Sequence, residues 1–240
     1  MPRNGNRPLA TNNAPLTVVL WKWGRRYKAE HVNALARQIA RHYARPHRVL
    51  CVTNDPIGID PAVLCIQDDA DFDWLPSPHG GANPSCYRRL RLFRRDAAKW
   101  FGERFVSIDL DVVAVADLVP LWDRPEDFVA YRDPLYTTQY NGSMLLMTAG
   151  ARPAVWEDFD YRVSPALARA AKKRGSDQAW LSYKLPNEAT WGPEDGVYSY
   201  RKDIVARGWE LPEDARLTVW HGQQKPWASS LTWVADSIQA

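Results

Sequence analysis

Asp109 and Asp111 stand inside the stretch Phe105-Val-Ser-Ile-Asp-Leu-Asp-Val-Val-Ala-Val115. Both flanks are apolar, rich in β-branched residues and free of Gly and Pro, so they read as buried strand. A carboxylate at the end of a buried strand is costly unless it is paired or bound to a cation. At i and i+2 of an extended chain the two acids project to one side, with Leu110 on the other. Such a pair can hold one hard divalent ion. A magnesium-like or manganese-like ion held by one or two carboxylates completes its shell with substrate phosphates. The spacing alone says little, because the chain holds four Asp-x-Asp triplets, at 69–71, 71–73, 109–111 and 158–160. The first two read as a solvated acidic loop and the last as a helix end. Only Asp109 and Asp111 have strand-like residues on both sides.

The elements that position this pair follow from periodicity. Leu16–Trp21 reads as a buried strand. Residues 29–43 form an amphipathic helix, with Val32, Leu35, Ala36, Ile39 and Tyr43 at helical spacing. Arg48–Thr53 is the next strand and ends at the turn Asn54-Asp55-Pro56. Strand, helix and strand of these lengths make a βαβ unit with parallel strands and a right-handed crossover. A third strand covers Val63–Ile66, and the polar stretch 67–84 is a long loop of the kind that often carries function. A helix is expected over about 85–101, burying Leu90, Phe93, Ala97 and Trp100 and leaving Arg88, Arg89, Arg91, Arg94 and Arg95 as a solvated basic face. A helical turn at 117–122 follows the acids. Strands at Phe128–Tyr131 and Ser143–Met147 flank a loop over 132–142. Helices are expected at 153–159, 165–173 and 177–183, with a last strand at Arg216–Trp220. The chain closes on His221-Gly-Gln-Gln-Lys225-Pro-Trp227. The expected fold is therefore one α/β domain over 16–240, a Rossmann-like, mostly parallel central sheet flanked by helices, behind a disordered tail at 1–15. Such sheets bind ligands at the carboxyl ends of their strands, and the acid pair sits at one of those ends.

Composition bounds the function. With 45% hydrophobic and 25% charged residues among 240, the chain is an ordinary globular one. Its apolar runs are too short for a membrane helix, and residues 1–15 lack the apolar segment of a secretory signal. A net charge of +3 is too small to imply nucleic acid. Cys51, Cys65 and Cys86 lack metal-ligand spacing; an odd count without a secretion signal argues for reduced thiols and a cytoplasmic protein. His31, His42, His47 and His79 show no metal spacing and read as surface residues. The 12 tryptophans exceed what a core alone requires, and several sit beside polar residues where sugars or bases could stack.

Several landmarks, in order, carry a family resemblance. Tyr87-Arg-Arg89-Leu90 precedes Val106-Ser-Ile-Asp109-Leu-Asp111-Val-Val, then Asp117-Leu-x-x-Leu121-Trp122, Tyr140-Asn141-Gly-Ser-Met-Leu-Leu, Ser176-Asp177-Gln178 and Gly222-Gln-Gln-Lys225-Pro226-Trp227. Spanning about Val18 to Trp227, this series resembles glycosyltransferases of the GT-A fold, family 8 above all: glycogenin, the bacterial lipopolysaccharide galactosyl- and glucosyltransferases, and small bacterial relatives. In that family a His stands three residues before the closing Gly. Here Val219 stands there and His221 directly precedes Gly222. The family often has Asn-Ser-Gly or Asn-Ala-Gly where this chain has Asn141-Gly142-Ser143.

The resemblance implies a transferase that moves a sugar from a nucleotide-sugar donor, a UDP-sugar by preference, with retention of configuration. Asp109 and Asp111 would hold Mn2+ or Mg2+ with His221 as third ligand, and Asp109 would also touch the ribose. Lys225 would lie on the phosphates, and Gly222 would let the closing loop bend over the donor. Arg89, Asp177 and Gln178 would line the reacting sugar, with Asn141 at the same sugar contact. Trp23, Tyr27 and Asp55 lie at strand ends suited to the donor's base and ribose. Bland alternatives stay open: Tyr27 as a helix staple, Asp55 as a turn residue, Asp177 as an acid in the first turn of a helix capped by Ser176. The acceptor is a carbohydrate, a lipid-linked species or a small molecule, with at most peripheral membrane contact and no nucleic acid expected. Competing readings are a non-catalytic nucleotide-sugar binder, a nucleic-acid-binding module that uses the arginine run, and a metal-dependent nucleotidyltransferase. The last expects a glycine-rich loop after the first strand, where only Gly24 is found.

Overall fold

The computed structural model describes residues 14–78 and 85–239. Strands β1 (Leu16–Lys22), β2 (His47–Thr53), β3 (Leu64–Gln67) and β4 (Arg104–Ile108) are mutually parallel neighbours in the order β3-β2-β1-β4. Helix α1 (Ala29–His42) makes the first crossover, as its apolar spacing requires. β1 shows how the sheet is covered. Val18 and Leu20 pack with Val32, Leu35 and Ile39 of α1, while Val19 and Trp21 pack on the opposite face with Leu90, Phe93 and Phe101.

Beyond β4 the chain divides between two sheets. β5 (Val112–Ala114) leaves the main sheet and pairs with β10 (Leu217–Val219), which also pairs with β9 (Val197–Ser199). β6 (Phe128–Arg132), β7 (Tyr140–Thr148) and β8 (Ala189–Trp191) extend the main sheet to seven strands, in which β7 alone runs antiparallel to its neighbours. The mostly parallel sheet flanked by helices is the expected architecture. The small second sheet was not expected, because strands of three residues carry almost no periodic signal. β8, β9 and the C-terminal helix over Thr232–Gln239 also escaped the sequence reading. A short helix α2 (Ala98–Phe101) precedes β4, and between β4 and β10 lie α3 (Val119–Trp122), α4 (Ala154–Glu157), α5 (Ser164–Ala170) and α6 (Asp177–Lys184). The C-terminal helix, α7, packs Val234 against Val113, Tyr198 and Trp220 of the small sheet.

Five expectations need correction. The helix over 85–101 is instead a 3-10 helix, Tyr87–Phe93, that stops where Arg94 turns extended, followed by α2. Three of its arginines are not a solvated face: Arg88, Arg89 and Arg91 are only 6%, 5% and 1% exposed, while Arg94 is half-buried and Arg95 exposed as expected. The acidic loop supplies their counter-charges, Asp68 to Arg88 and Asp69 to Arg91, so the triplets at 69–73 are not simply solvated. Three residues per turn spread successive arginines around the 3-10 axis and turn them inward, where burial demands partners. Residues 140–142 extend β7 rather than ending a loop. His31 is buried, not a surface residue. The tail at 1–13 and His79 lie outside the described residues. Among those described, no helix is long and apolar enough to cross a membrane.

The Arg88–Asp68 pair gives a direct test of this burial. Arg88→Met strands the Asp68 carboxylate, whose side chain is 2% exposed, and is expected to cost about 3–5 kcal/mol in urea denaturation. The double variant with Asp68→Leu should recover most of that loss. A solvated arginine would cost less than about 0.5 kcal/mol.

Candidate active site

The site grows from the crossing between the two sheets. Ile108 closes the last rung of β4 against Leu20 and Met144. Asp109 adds one more backbone bond, its N–H donating to the Ser143 carbonyl at 2.9 Å. The chain then bends, buries Leu110 and enters β5, while the Asp111 carbonyl accepts from the Trp220 N–H at 2.9 Å. Asp109 is thus anchored to the main sheet, and Asp111 to the segment that leads into His221 and Lys225.

Arg89 joins the parts of the site. Its Nη1 donates to Asp109 Oδ1 at 2.6 Å and to the Gly142 carbonyl at 3.0 Å, and its Nε donates to Asp177 Oδ2 at 2.8 Å. Burial works against a charged guanidinium here, but Asp177 and Asp109 outweigh it and hold Arg89 well above its ordinary value. Burial also pushes Asp109 upward, against the pull of Arg89 and with the push of Asp111. Gly142 is required by this approach: a Cβ there would lie 2.6 Å from Arg89 Nη2. The Asn-Gly-Ser order that departs from the family therefore fits the guanidinium. Asn141 orients the turn into β7, donating to Asp133 Oδ2 at 3.4 Å and accepting from the Ser143 N–H at 3.0 Å. Gln178 Oε1 accepts from the Gly142 N–H at 3.3 Å. Ser176 donates to Asp177 Oδ1 at 3.2 Å, so Asp177 is more than an acid in a first turn. Arg89, Asp109, Asn141, Asp177 and Gln178 come together as one constellation.

Asp111 meets the other half. Lys225 Nζ donates to its Oδ2 in a short contact, and the Tyr27 hydroxyl donates to the same oxygen at 3.1 Å. Burial, with Asp111 and Asp109 adding to it, raises the Tyr27 phenol far above its usual range, so it stays a donor. Gly222 adopts φ +97°, a left-handed turn, and its carbonyl accepts from Arg26 at 3.4 Å. Trp227 stacks on His31 with ring centroids 3.9 Å apart and meets Tyr27 edge-on at 5.6 Å. The closing loop is thereby seated on the carboxyl side of β1. Trp23 is half-buried under the Arg88 guanidinium, 4.7 Å from its ring. Asp55 lies at the exposed end of β2, bound by Lys22 at 3.0 Å. Neither Trp23 nor Asp55 touches the acid pair.

His221 has a different partner. Its Nε2 shares a 2.7 Å hydrogen bond with Ser199 Oγ, which also accepts from the Lys202 N–H. Burial lowers the His221 pKa below 6.5, with Asp133 opposing. Among the described residues no three His, Cys, Asp or Glu side chains gather into a metal cage. What the site offers is two oxygen donors at i and i+2. Three carboxylates (Asp109, Asp111, Asp177) face two cations (Arg89, Lys225), which leaves one net negative charge. That set fits a hard divalent ion that takes its remaining ligands from phosphate oxygens. It does not fit a closed all-protein site.

Sequence reasoning missed Lys22, Ser199 and the bond from the Asp109 N–H to the Ser143 carbonyl. Lys22 could have been found by the logic applied to Asp109, since it is a charge closing an apolar strand and is 3% exposed. Ser199 sits in a three-residue strand that leaves no trace in the pattern.

Two measurements probe this geometry. Gly142→Ala should push the Arg89 guanidinium off both carboxylates and cost about 1–3 kcal/mol in chemical denaturation. The His221 imidazole should titrate below 6.5 by NMR. A depressed folded value means the unfolded chain binds the proton more tightly. His221 therefore costs nothing above that pH, and stability falls as pH drops from 6.5 through its folded value. Ser199→Ala should shift the titration.

No protein-family model matches the chain, and no curated protein matches it. Solved structures do. The galactosyltransferase LgtC, in complex with donor and acceptor sugar analogs, superposes at TM-score 0.62 and 15% identity over 94% of this chain and 97% of that one. The glycosyltransferase GlyE of Streptococcus pneumoniae TIGR4 gives 0.59 and 13% over 93% of this chain and 61% of its own. The bifunctional enzyme WbbM in its apo form gives 0.56 and 15% over 92% and 48%. The chain spans nearly all of LgtC and only part of the other two. At such identities the likeness speaks for architecture: the chain has the fold of the GT-A glycosyltransferases, the architecture that its sequence landmarks resemble.

Proposed function

We propose that this protein is a glycosyltransferase that moves a sugar from a nucleotide-sugar donor, a UDP-sugar by preference, to a carbohydrate, lipid-linked or small-molecule acceptor. The observation that carries this reading is the Arg89 bridge between Asp109 and Asp177, set beside the Lys225–Asp111 contact at the carboxyl edge of a parallel sheet. One half of the site suits a diphosphate and the other suits a polyol.

Each residue then has a task. Asp109 and Asp111 would hold Mn2+ or Mg2+, which when bound supplies Lewis-acid stabilisation of the leaving diphosphate. His221 is the candidate third ligand and would have to exchange Ser199 for the ion. Lys225 trades its carboxylate partner for a phosphate and lies on the leaving group as a point charge. The loop that carries it, hinged at Gly222 and seated by Trp227, excludes water that would hydrolyse the donor. Asp177 and Gln178 hold sugar hydroxyls. Arg89 fixes Asp177 and keeps it ionised. An inverting route would need a carboxylate base near the acceptor hydroxyl, with Asp133, Asp158 and Asp177 as candidates; Asp133 already accepts the backbone N–H groups of Leu135 and Tyr136, each at 2.9 Å. The proposed route is the retaining one, in which the leaving phosphate accepts the acceptor's proton. Tyr27 and Trp23 frame the base, and Asp55 approaches the ribose. The nucleic-acid reading loses the central part of its footprint, because Arg88, Arg89 and Arg91 are buried in ion pairs.

A thermal-shift and calorimetric screen of nucleotide-sugars with and without manganese tests the proposal. Wild type should bind UDP more tightly with manganese. Asp111→Asn should abolish that enhancement while leaving the unliganded melting temperature within a few degrees. Unchanged UDP affinity with manganese in Asp111→Asn would sink the metal assignment. Equal manganese affinity in wild type and His221→Ala would remove His221 from the ligand set.

A further inference from the structure

A second cationic feature lies next to the constellation just described. Past Asp177 the wall formed by Gly175 and Ala179 belongs to a cleft of about 240 Å3, closed on its other sides by Tyr87, Arg169, Lys173 and Arg174. Among the described residues no carboxylate lines it. Among the described residues, none of the three cations has an ion-pair partner. Arg174 donates to the Tyr136 hydroxyl at 2.7 Å and lies over that ring, and Lys173 donates to the Thr138 carbonyl. Both contacts set the direction of a cation without neutralising it. The arginine run at 88–91 is spent on internal acids, so the cations at 169–174 form a separate uncompensated group on the Asp177 side of the site, away from Arg26, which donates to Gly222 beside the closing loop.

The cleft is connected to the chemistry by named contacts. Lys225 sits on Asp111, Arg89 links Asp109 to Asp177, Ser176 holds Asp177, and the Cys86 N–H donates to Ser176 Oγ at 3.1 Å, one residue before Tyr87. Burial pushes the Tyr87 hydroxyl up to about 12, with Asp177 raising it and Arg169 lowering it, so it feels the charge on both sides. In the proposed scheme the donor diphosphate is served by Lys225 at the far end of this series. A pocket of three unpaired cations at the near end is surplus to the donor.

We infer that this cleft binds a phosphate carried by the acceptor, which makes the acceptor a sugar phosphate or a phosphate-linked lipid rather than a neutral glycan. This inference rests on the sugar-transfer reading. The cations are partly exposed, so each contributes modestly and salt screens them. Convergence on one concave, acid-free wall focuses their field.

The test titrates inorganic phosphate into the full chain with and without saturating UDP and manganese. With the donor site filled, wild type should still bind phosphate. Arg169→Gln/Lys173→Gln should weaken that binding about tenfold and leave UDP affinity unchanged. Arg37→Gln/Arg41→Gln, which removes two exposed cations of α1, should leave phosphate binding unchanged. Absent phosphate binding, or equal binding in wild type and the cleft variant, overturns the inference, as does equal weakening by the α1 variant. Phosphate binding retained while UDP fails to bind overturns the sugar-transfer reading and the acceptor assignment with it. UDP binding without phosphate binding overturns the cleft assignment alone. Sedimentation with phosphatidylcholine vesicles, with or without phosphatidic acid, separates the sources. Pelleting that requires phosphatidic acid and is lost in the cleft variant assigns the phosphate to a lipid. Phosphate binding without pelleting assigns it to a soluble acceptor.

Discussion

One buried guanidinium holds the site together. Arg89 is enclosed by groups that would repel each other without it, two carboxylates and a backbone carbonyl. Taking any of the three charges out of water is expensive, and only the fork geometry of an arginine meets Asp109 and Asp177 together. The neighbourhood is arranged around that requirement. Gly142 has no side chain because the guanidinium occupies the space, and the 3-10 turn at Tyr87–Phe93 faces arginines inward. The antiparallel strand β7 places Gly142 beside Asp109.

The same economy explains the loop after β3. Arg88 and Arg91 are buried beside Arg89 and would repel one another if unmatched. Asp68 and Asp69 match them from outside the 3-10 turn. The acidic loop and the arginine turn are therefore one electrostatic unit, distinct from the pair Asp109 and Asp111 at the end of β4.

Much of the architecture was legible in the sequence because long apolar runs encode it. β1, α1, β2 and β4 each carry enough periodic residues to define a type and a face. The acid pair was legible for the opposite reason, since Asp109 and Asp111 break a pattern that is otherwise apolar. What escaped were features set by partners distant in sequence. Nothing local says that Arg88 points inward, because the reason is Asp68 in another loop. Nothing around His31 announces Trp227, which arrives from the far end of the chain to stack on it. The three-residue strands of the second sheet are held by tertiary pairing and have no pattern of their own. The departure at His221 was legible against the family pattern, but its Ser199 partner lay in one of those strands.

The bend between β4 and β5 has a mechanical consequence. Asp109 is fastened to the large sheet and Asp111, through Trp220, to the small one. A ligand gripped by both side chains is also a rivet between two sheets already joined by several chain crossings and one shared core. Its binding adds a tie across the seam, so the occupied protein should resist local opening there more than the empty one.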